Sequence, residues 1–178
     1  LFLDYISINK INLKKLKSII KGIKKGCKIA GCQLVGGETA EMPGTYSKDK
    51  FDIAGFAVGL VEKKNILKKN KIKKNDLILA IPSSGLHSNG FSLVRHIIKE
   101  KKINVKKNFF LKKELLRPTK IYVKEINSLI EKNLINGCAN ITGGGIVENV
   151  KRVIPSNLNA EIILNKIKIK KIFKWIKK

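Results

Sequence analysis

Three short stretches combine glycine with side chains that bind ligands or move charge. They are Gly36-Gly37-Glu38-Thr39-Ala40-Glu41-Met42-Pro43-Gly44, Ser83-Ser84-Gly85-Leu86-His87-Ser88-Asn89-Gly90 and Thr142-Gly143-Gly144-Gly145. Glycine leaves backbone N–H groups open to a phosphate, most of all where a strand hands over to a helix. Ser83, Ser84, Ser88 and Asn89 add side-chain donors to such a cradle. Glu38 offers the hard oxygen that Mg²⁺ on a nucleotide requires. His87 titrates near neutrality, which suits a proton relay or a donor to phosphate.

Each feature also has a purely structural reading. Serine and asparagine cap helices whether or not a ligand is near. Glu38 and Thr39 would equally close a turn before Met42-Pro43-Gly44, and one carboxylate does not make a metal site. His87 reads alternatively as an ordinary surface histidine. Three successive glycines lose more conformational freedom on folding than other residues, so something must approach Gly143–Gly145 closely, either a ligand or another segment. No Gly-Lys-Ser/Thr follows, which excludes a P-loop, and the spaced triple of a dinucleotide fingerprint is missing.

The periodicity supplies the elements that must position these groups. Leu1–Ile6 reads as a strand. Leu13, Leu16, Ile19, Ile20, Ile23 and Cys27 share one helical face. Gln33–Val35 is a short strand leading into the first cluster, and Phe51–Val61 a buried strand in which Gly55 and Gly59 permit close packing. Residues 62–76 are polar and lysine-rich, as at a crossing between domains. Leu77–Ile81 is predicted as a buried strand entering the Ser83–Gly90 loop. A helix follows with Phe91, Val94, Ile97 and Ile98 on one face. Arg117-Pro118-Thr119 starts another, with Val123, Ile126 and Ile130 inward. Cys138–Ile141 is read as a strand before the triple glycine, Val147–Val150 as a brief helix, Ala160–Leu164 as a last strand, and Ile172, Trp175 and Ile176 as one side of a terminal helix. Strands alternating with helices give an α/β or α+β class.

The composition bounds the function. The chain has 178 residues, 43% of them apolar, and a net charge of +25. Such charge suggests nucleic acid or an anionic membrane as partner. The bases are almost all lysine, however, the only arginines being Arg95, Arg117 and Arg152. Nucleic-acid readers favour arginine and interleaved aromatics, whereas lysine here accompanies an excess of isoleucine and asparagine throughout. That pattern reads as compositional drift, and a lysine-rich nucleic-acid-binding module remains the alternative. Cys27, Cys32 and Cys138, odd in number and without paired spacing, argue against a disulfide framework and a zinc site. No apolar run reaches membrane-span length and no signal pattern opens the chain, so a soluble cytoplasmic protein is expected. A start at Leu1 without methionine suggests a fragment or processed product.

In order and spacing, the three clusters resemble the aminoimidazole ribonucleotide (AIR) synthetase family, the phosphoribosylformylglycinamidine cyclo-ligases of purine biosynthesis. Phe51–Phe56, Phe91–Arg95, Pro118–Lys124 and Ile146–Asn149 extend the likeness over nearly the whole chain. Families that share this fold, such as selenophosphate synthetase and thiamine-monophosphate kinase, lack the Glu-Thr-Ala-Glu-Met-Pro-Gly run. The resemblance implies two α/β domains across a cleft, the first binding ATP and pairing through its strands into a homodimer. Residues 1–61 would be the end of that domain, 62–76 a linker, and 77–178 an incomplete C-terminal domain. It further implies ATP-dependent ring closure of formylglycinamidine ribonucleotide. Gly36, Gly37, Glu38 and Thr39 would lie on the ATP and Mg²⁺ side, with Glu38 as metal ligand. Ser83, Ser84, Gly85, Ser88, Asn89, Thr142, Gly143, Gly144 and Gly145 would lie on the substrate-phosphate side, with His87 as catalytic group. The family's earlier metal-binding aspartates and its distal glycine-rich strand are absent from this sequence, so the segment alone is expected to lack full activity.

Overall fold

The computed structural model describes residues 1–177 and has an α+β architecture with a mixed sheet. The chain divides into two compact units, one of Leu1–Ile66 with Ile121–Lys132, the other of Leu67–Lys120 with Asn133 onward.

The first unit is built on three strands, β1 (Phe2–Ile8), β2 (Leu34–Glu41) and β3 (Phe51–Ala57), in the order β2-β1-β3. β1 runs parallel to β2 and antiparallel to β3. A parallel pair needs a crossover, and helix α1 (Leu13–Ala30) supplies it. Asn12 caps its start by accepting from the Lys15 N–H at 3.0 Å. Gly31, with φ of 71°, ends it in the left-handed conformation that glycine adopts without strain. The end of β1 is the buried part of the sheet: Ile6, Ser7 and Ile8 are all covered. Met42 closes over it, its N–H donating to the Ile8 carbonyl at 2.8 Å and its sulfur accepting from the Ser7 hydroxyl at 3.0 Å. Glu41 accepts from the Ile11 N–H at 2.9 Å and so fixes the approach to α1.

The second unit has a compact core of Leu86, Val94, Leu111 and Ile172. Helices α2 (Phe91–Glu100), α3 (Phe109–Leu115) and α6 (Lys171–Lys177) supply the last three. Trp175 and Ile176 pack against this cluster, as the terminal amphipathic pattern predicts. Helix α5 (Gly145–Lys151) follows the triple glycine. Asp76 accepts from Asn136 Nδ2 at 2.8 Å and from the Lys73 N–H at 3.0 Å, and these bonds hold its carboxyl below the ordinary range. Helix α4 (Val123–Glu131) belongs to the first unit, although in sequence it lies between two parts of the second.

Several sequence expectations are corrected. Residues 36–39 do not form a turn; they lie within β2, because pairing with β1 continues through the glycines. β3 is exposed along its whole length instead of buried, since no described element covers it. Gly55 does permit a close approach, the Phe2 ring occupying the place of a β-carbon, but Gly59 has open space around it. Residues 77–81, 138–141 and 160–164 form no strands, lacking a neighbouring strand to take their backbone groups. Leu77 and Leu79 are accordingly exposed. The helix expected from Arg117 begins only at Val123, because the Pro118 and Lys120 backbone groups bond to the Ser83–Gly90 loop instead.

Candidate functional site

Leu86 anchors the Ser83–Gly90 loop by inserting into the core of the second unit. With Leu86 fixed, the flanking residues fold into a tight knot. Ser83 Oγ donates to the Gly85 carbonyl at 3.0 Å, and Asn89 Nδ2 to the His87 carbonyl at 3.0 Å. His87 and Ser88 both take positive φ, 52° and 61°. That conformation is uncommon outside glycine and is held here by the surrounding bonds. A β-carbon on Gly85 would meet Arg117 Cδ at 3.6 Å, an ordinary contact, and Arg117 is itself ion-paired to Glu114.

His87 is the hub of the knot. Its Nε2 accepts from the Ser84 N–H at 2.7 Å and from the Lys120 N–H at 3.2 Å. The Ser84 hydroxyl, also 2.7 Å from Nε2, donates to the Pro118 carbonyl at 2.7 Å. A proton on Nε2 would face two backbone donors, so the ring is neutral with its proton on Nδ1. Burial, and then the positive charge of Lys170, push its pKa below the ordinary 6.5. As it stands, Nε2 is an acceptor that ties residues 84–87 to 118–120. Either proton relay or donation to phosphate from that nitrogen requires the two amides to let go.

Beyond the knot the chain enters α2 through Gly90, whose φ is 72° and which leaves the helix without a side-chain cap. The first bond of the helix runs from the Val94 N–H to the Gly90 carbonyl at 3.2 Å, so the preceding N–H groups have no acceptor within it. They border an open depression of about 510 Å³ lined by Ser88, Asn89, Gly90, Phe91, Ser92 and Arg95. Unpaired amides, the positive end of the helix dipole and a guanidinium together favour an anion. The sequence reading did not single out Arg95 as a site residue, although a signal was present. In a chain whose bases are nearly all lysine, two of the three arginines, Arg95 and Arg152, fall in or just after the helix that follows a glycine cluster. Arg95 lines the depression, Arg117 lies beside Gly85, and Arg152 reaches Asn149 at 3.4 Å and Glu148 at 3.9 Å.

The Thr142–Gly145 turn separates into glycines with distinct reasons. The Gly145 N–H donates to the Thr142 carbonyl at 2.9 Å, and Gly145 takes φ of 67°. A β-carbon on Gly144 would collide with the Glu148 side chain folded over it. Gly143 has open space around it and a φ that is not positive, so nothing in the fold requires it to be glycine. Buried Asn149 closes the turn, donating to the Gly145 carbonyl at 2.7 Å and accepting from the Thr142 hydroxyl at 3.2 Å.

On β2 the same separation applies. A β-carbon on Gly37 would strike the backbone and carboxylate of Asp4 on β1, whereas Gly36 has open space. β2 lies at the edge of the three-stranded sheet, and an edge strand keeps part of its N–H groups unpaired. Glu38 is exposed and accepts from the Thr39 N–H at 2.9 Å. Among the described residues no three His, Cys, Asp or Glu side chains gather where a metal would sit. A single exposed carboxylate such as Glu38 does not by itself make a magnesium site.

Comparison with known proteins places the sequence in a family. The family model for the N-terminal domain of AIR synthase related protein covers residues 1–61, and that for its C-terminal domain covers residues 73–177. Curated proteins named phosphoribosylformylglycinamidine cyclo-ligase from Bacillus cereus and Bacillus anthracis are each 48% identical to this chain, and one from Bacillus mycoides is 47% identical. In each case the match takes in 97% of this chain and 51% of the relative. The chain thus spans about half the length of the curated relatives it matches. With C-terminal-domain similarity alone extending over more than half of its residues, the chain belongs to the AIR synthase related protein family.

Proposed function

We propose that the protein carrying this chain closes the imidazole ring of aminoimidazole ribonucleotide, using ATP and formylglycinamidine ribonucleotide. Support comes from near-half identity to named cyclo-ligases along almost the entire chain. In this reaction the formyl amide oxygen attacks the γ-phosphorus of ATP and ADP departs. An amidine nitrogen then attacks the activated carbon, phosphate leaves with the former amide oxygen, and the nitrogen loses its proton. Phosphorylation makes a poor leaving group a good one, and catalysis rests on positioning and charge stabilisation.

Residues 1–61 would contribute to the ATP-binding and dimerising domain, 62–76 would link, and 77–178 would belong to the C-terminal domain. Gly36, Gly37, Glu38 and Thr39 are assigned to ATP and its Mg²⁺, with Gly36 as the point of backbone approach. The α2 depression with Arg95, together with Ser83, Ser84, Gly85, Ser88, Asn89 and Thr142–Gly145, is assigned to substrate and phosphate binding. His87 is assigned the proton or phosphate contact, taken up when substrate displaces its amide partners. The exposed apolar side chains of β3, Phe51, Ile53 and Phe56, suit strand-mediated pairing into a homodimer. The setting is cytoplasmic, where ATP and ribonucleotides are available. Among the described residues no helix is long and apolar enough to cross a membrane. The nucleic-acid alternative is not favoured, because the family match accounts for the loops that carry the chemistry.

The test is turnover. The complete protein is expected to convert formylglycinamidine ribonucleotide to aminoimidazole ribonucleotide with stoichiometric ADP and phosphate, and Glu38→Gln and His87→Ala variants to lose turnover. No ATP-dependent product from the complete protein would reject the reading, and full activity in both variants would remove those two assignments.

A further inference from the structure

The end of α1 carries a second chemical group that ring closure does not use. Gly31 and Cys32 close the helix with paired bonds: the Cys32 N–H donates to the Cys27 carbonyl at 3.0 Å, and the Gly31 N–H to the Lys28 carbonyl at 3.4 Å. With Gly31 left-handed, this is a Schellman closure, which folds the residue after the glycine back onto the one five positions earlier. Here those residues are Cys32 and Cys27, and both border the same depression. The sequence spacing gave no hint of pairing, because five residues along a continuing helix would point the two side chains apart.

The two thiols are unequally placed. Cys27 is buried, and burial, with Cys32 next, pushes its pKa up. Cys32 is half-buried, and both cysteines line an open depression of about 430 Å³ with Lys24 and Lys28. The lysines favour approach of an anionic reagent.

We propose that Cys27 and Cys32 form a reversible dithiol–disulfide pair that reacts with small anionic disulfides such as glutathione disulfide. The Cys32 thiolate attacks one sulfur of the reagent, forming a mixed disulfide and expelling one glutathione thiolate. Cys27 then loses its proton and attacks the Cys32 sulfur, closing the intramolecular bond and expelling the second glutathione. Two protein thiols are oxidised and one reagent disulfide is reduced to two thiols. The pair sits immediately before β2, so its oxidation would lock the passage from α1 into the strand that bears Gly36.

The native chain with Cys138→Ser, equilibrated against graded glutathione and glutathione disulfide, tests this by thiol counting, intact mass and proteolysis after lysine. Cleavage after Lys28 separates the two cysteines, so only an S–S bond can keep their peptides together. The expected result is loss of both thiols without glutathione mass, a Gly26–Lys28 peptide joined to the one bearing Cys32, and reversal by excess dithiol. A Cys32→Ser chain, altered at the less buried position, should form no such species. Persistence of both thiols, or arrest at a glutathione adduct on Cys32 with Cys27 still a thiol, would overturn the proposal.

Discussion

Gly37 on β2 and Gly143 ahead of α5 each belong to a glycine run, yet their surroundings differ completely. Gly37 is held to glycine by Asp4 on the next strand, and Gly143 by nothing in the fold. The two regions repeat the contrast internally: Gly36 is open beside Gly37, while Gly144 and Gly145 are explained by Glu148 and by a positive φ. A glycine run is therefore not one signal. Some members serve packing or backbone geometry, whereas Gly36 and Gly143 have open space where a β-carbon would sit.

The largest expected effect concerns the support under the second region. Leu111→Ala, at a fully buried position in contact with the Leu86 cluster, should destabilise by about 2–5 kcal/mol in denaturant unfolding. It should also loosen the His87 knot, visible as faster amide exchange at Ser84 and Lys120. On the strand, Gly37→Ala should lose about 1–3 kcal/mol through overpacking against Asp4, whereas Gly36→Ala should stay within about 0.5 kcal/mol. Equal losses at the two positions would erase the distinction within β2. In the turn, Gly145→Ala forces a side chain into the left-handed region and should lose about 1 kcal/mol. Gly143→Ala should unfold like the parent chain.

The smallest effect is that of pH. The folded pKa of His87 lies below its ordinary 6.5, so the unfolded chain binds the proton more readily. The stabilisation is complete above 6.5 and is lost as pH falls toward the folded value. Melting temperature should thus decline on acidification below 6.5, and His87→Asn should flatten that decline. An unchanged slope in the variant would show that the ring does not carry it.

Much of this was legible in the sequence where the signal is local. The apolar stripe of α1, the helix after Gly90 and the terminal Ile172–Trp175–Ile176 face all follow from spacing. What was not legible depends on partners. Residues 77–81 and 138–141 have strand-like composition but no strand beside them, and residues 36–39 look like a turn until β1 pairs with them. His87 was recognisable as a chemical residue. Its neutral, doubly bonded ring was not, because the donors at Ser84 and Lys120 come together only through the fold. Arg95 was hidden by the lysine excess, although scarcity of arginine was itself the clue.

The most direct test of the central claim, that the unexplained glycines face phosphoryl groups, is steady-state kinetics of Gly36→Ala and Gly143→Ala in the complete protein, with melting temperature measured alongside. The account predicts unchanged melting with a KM for ATP raised at least about tenfold by the first change and a KM for the ribonucleotide raised similarly by the second, as for loss of about 1.4 kcal/mol of binding. Parental kinetics in both variants would contradict it.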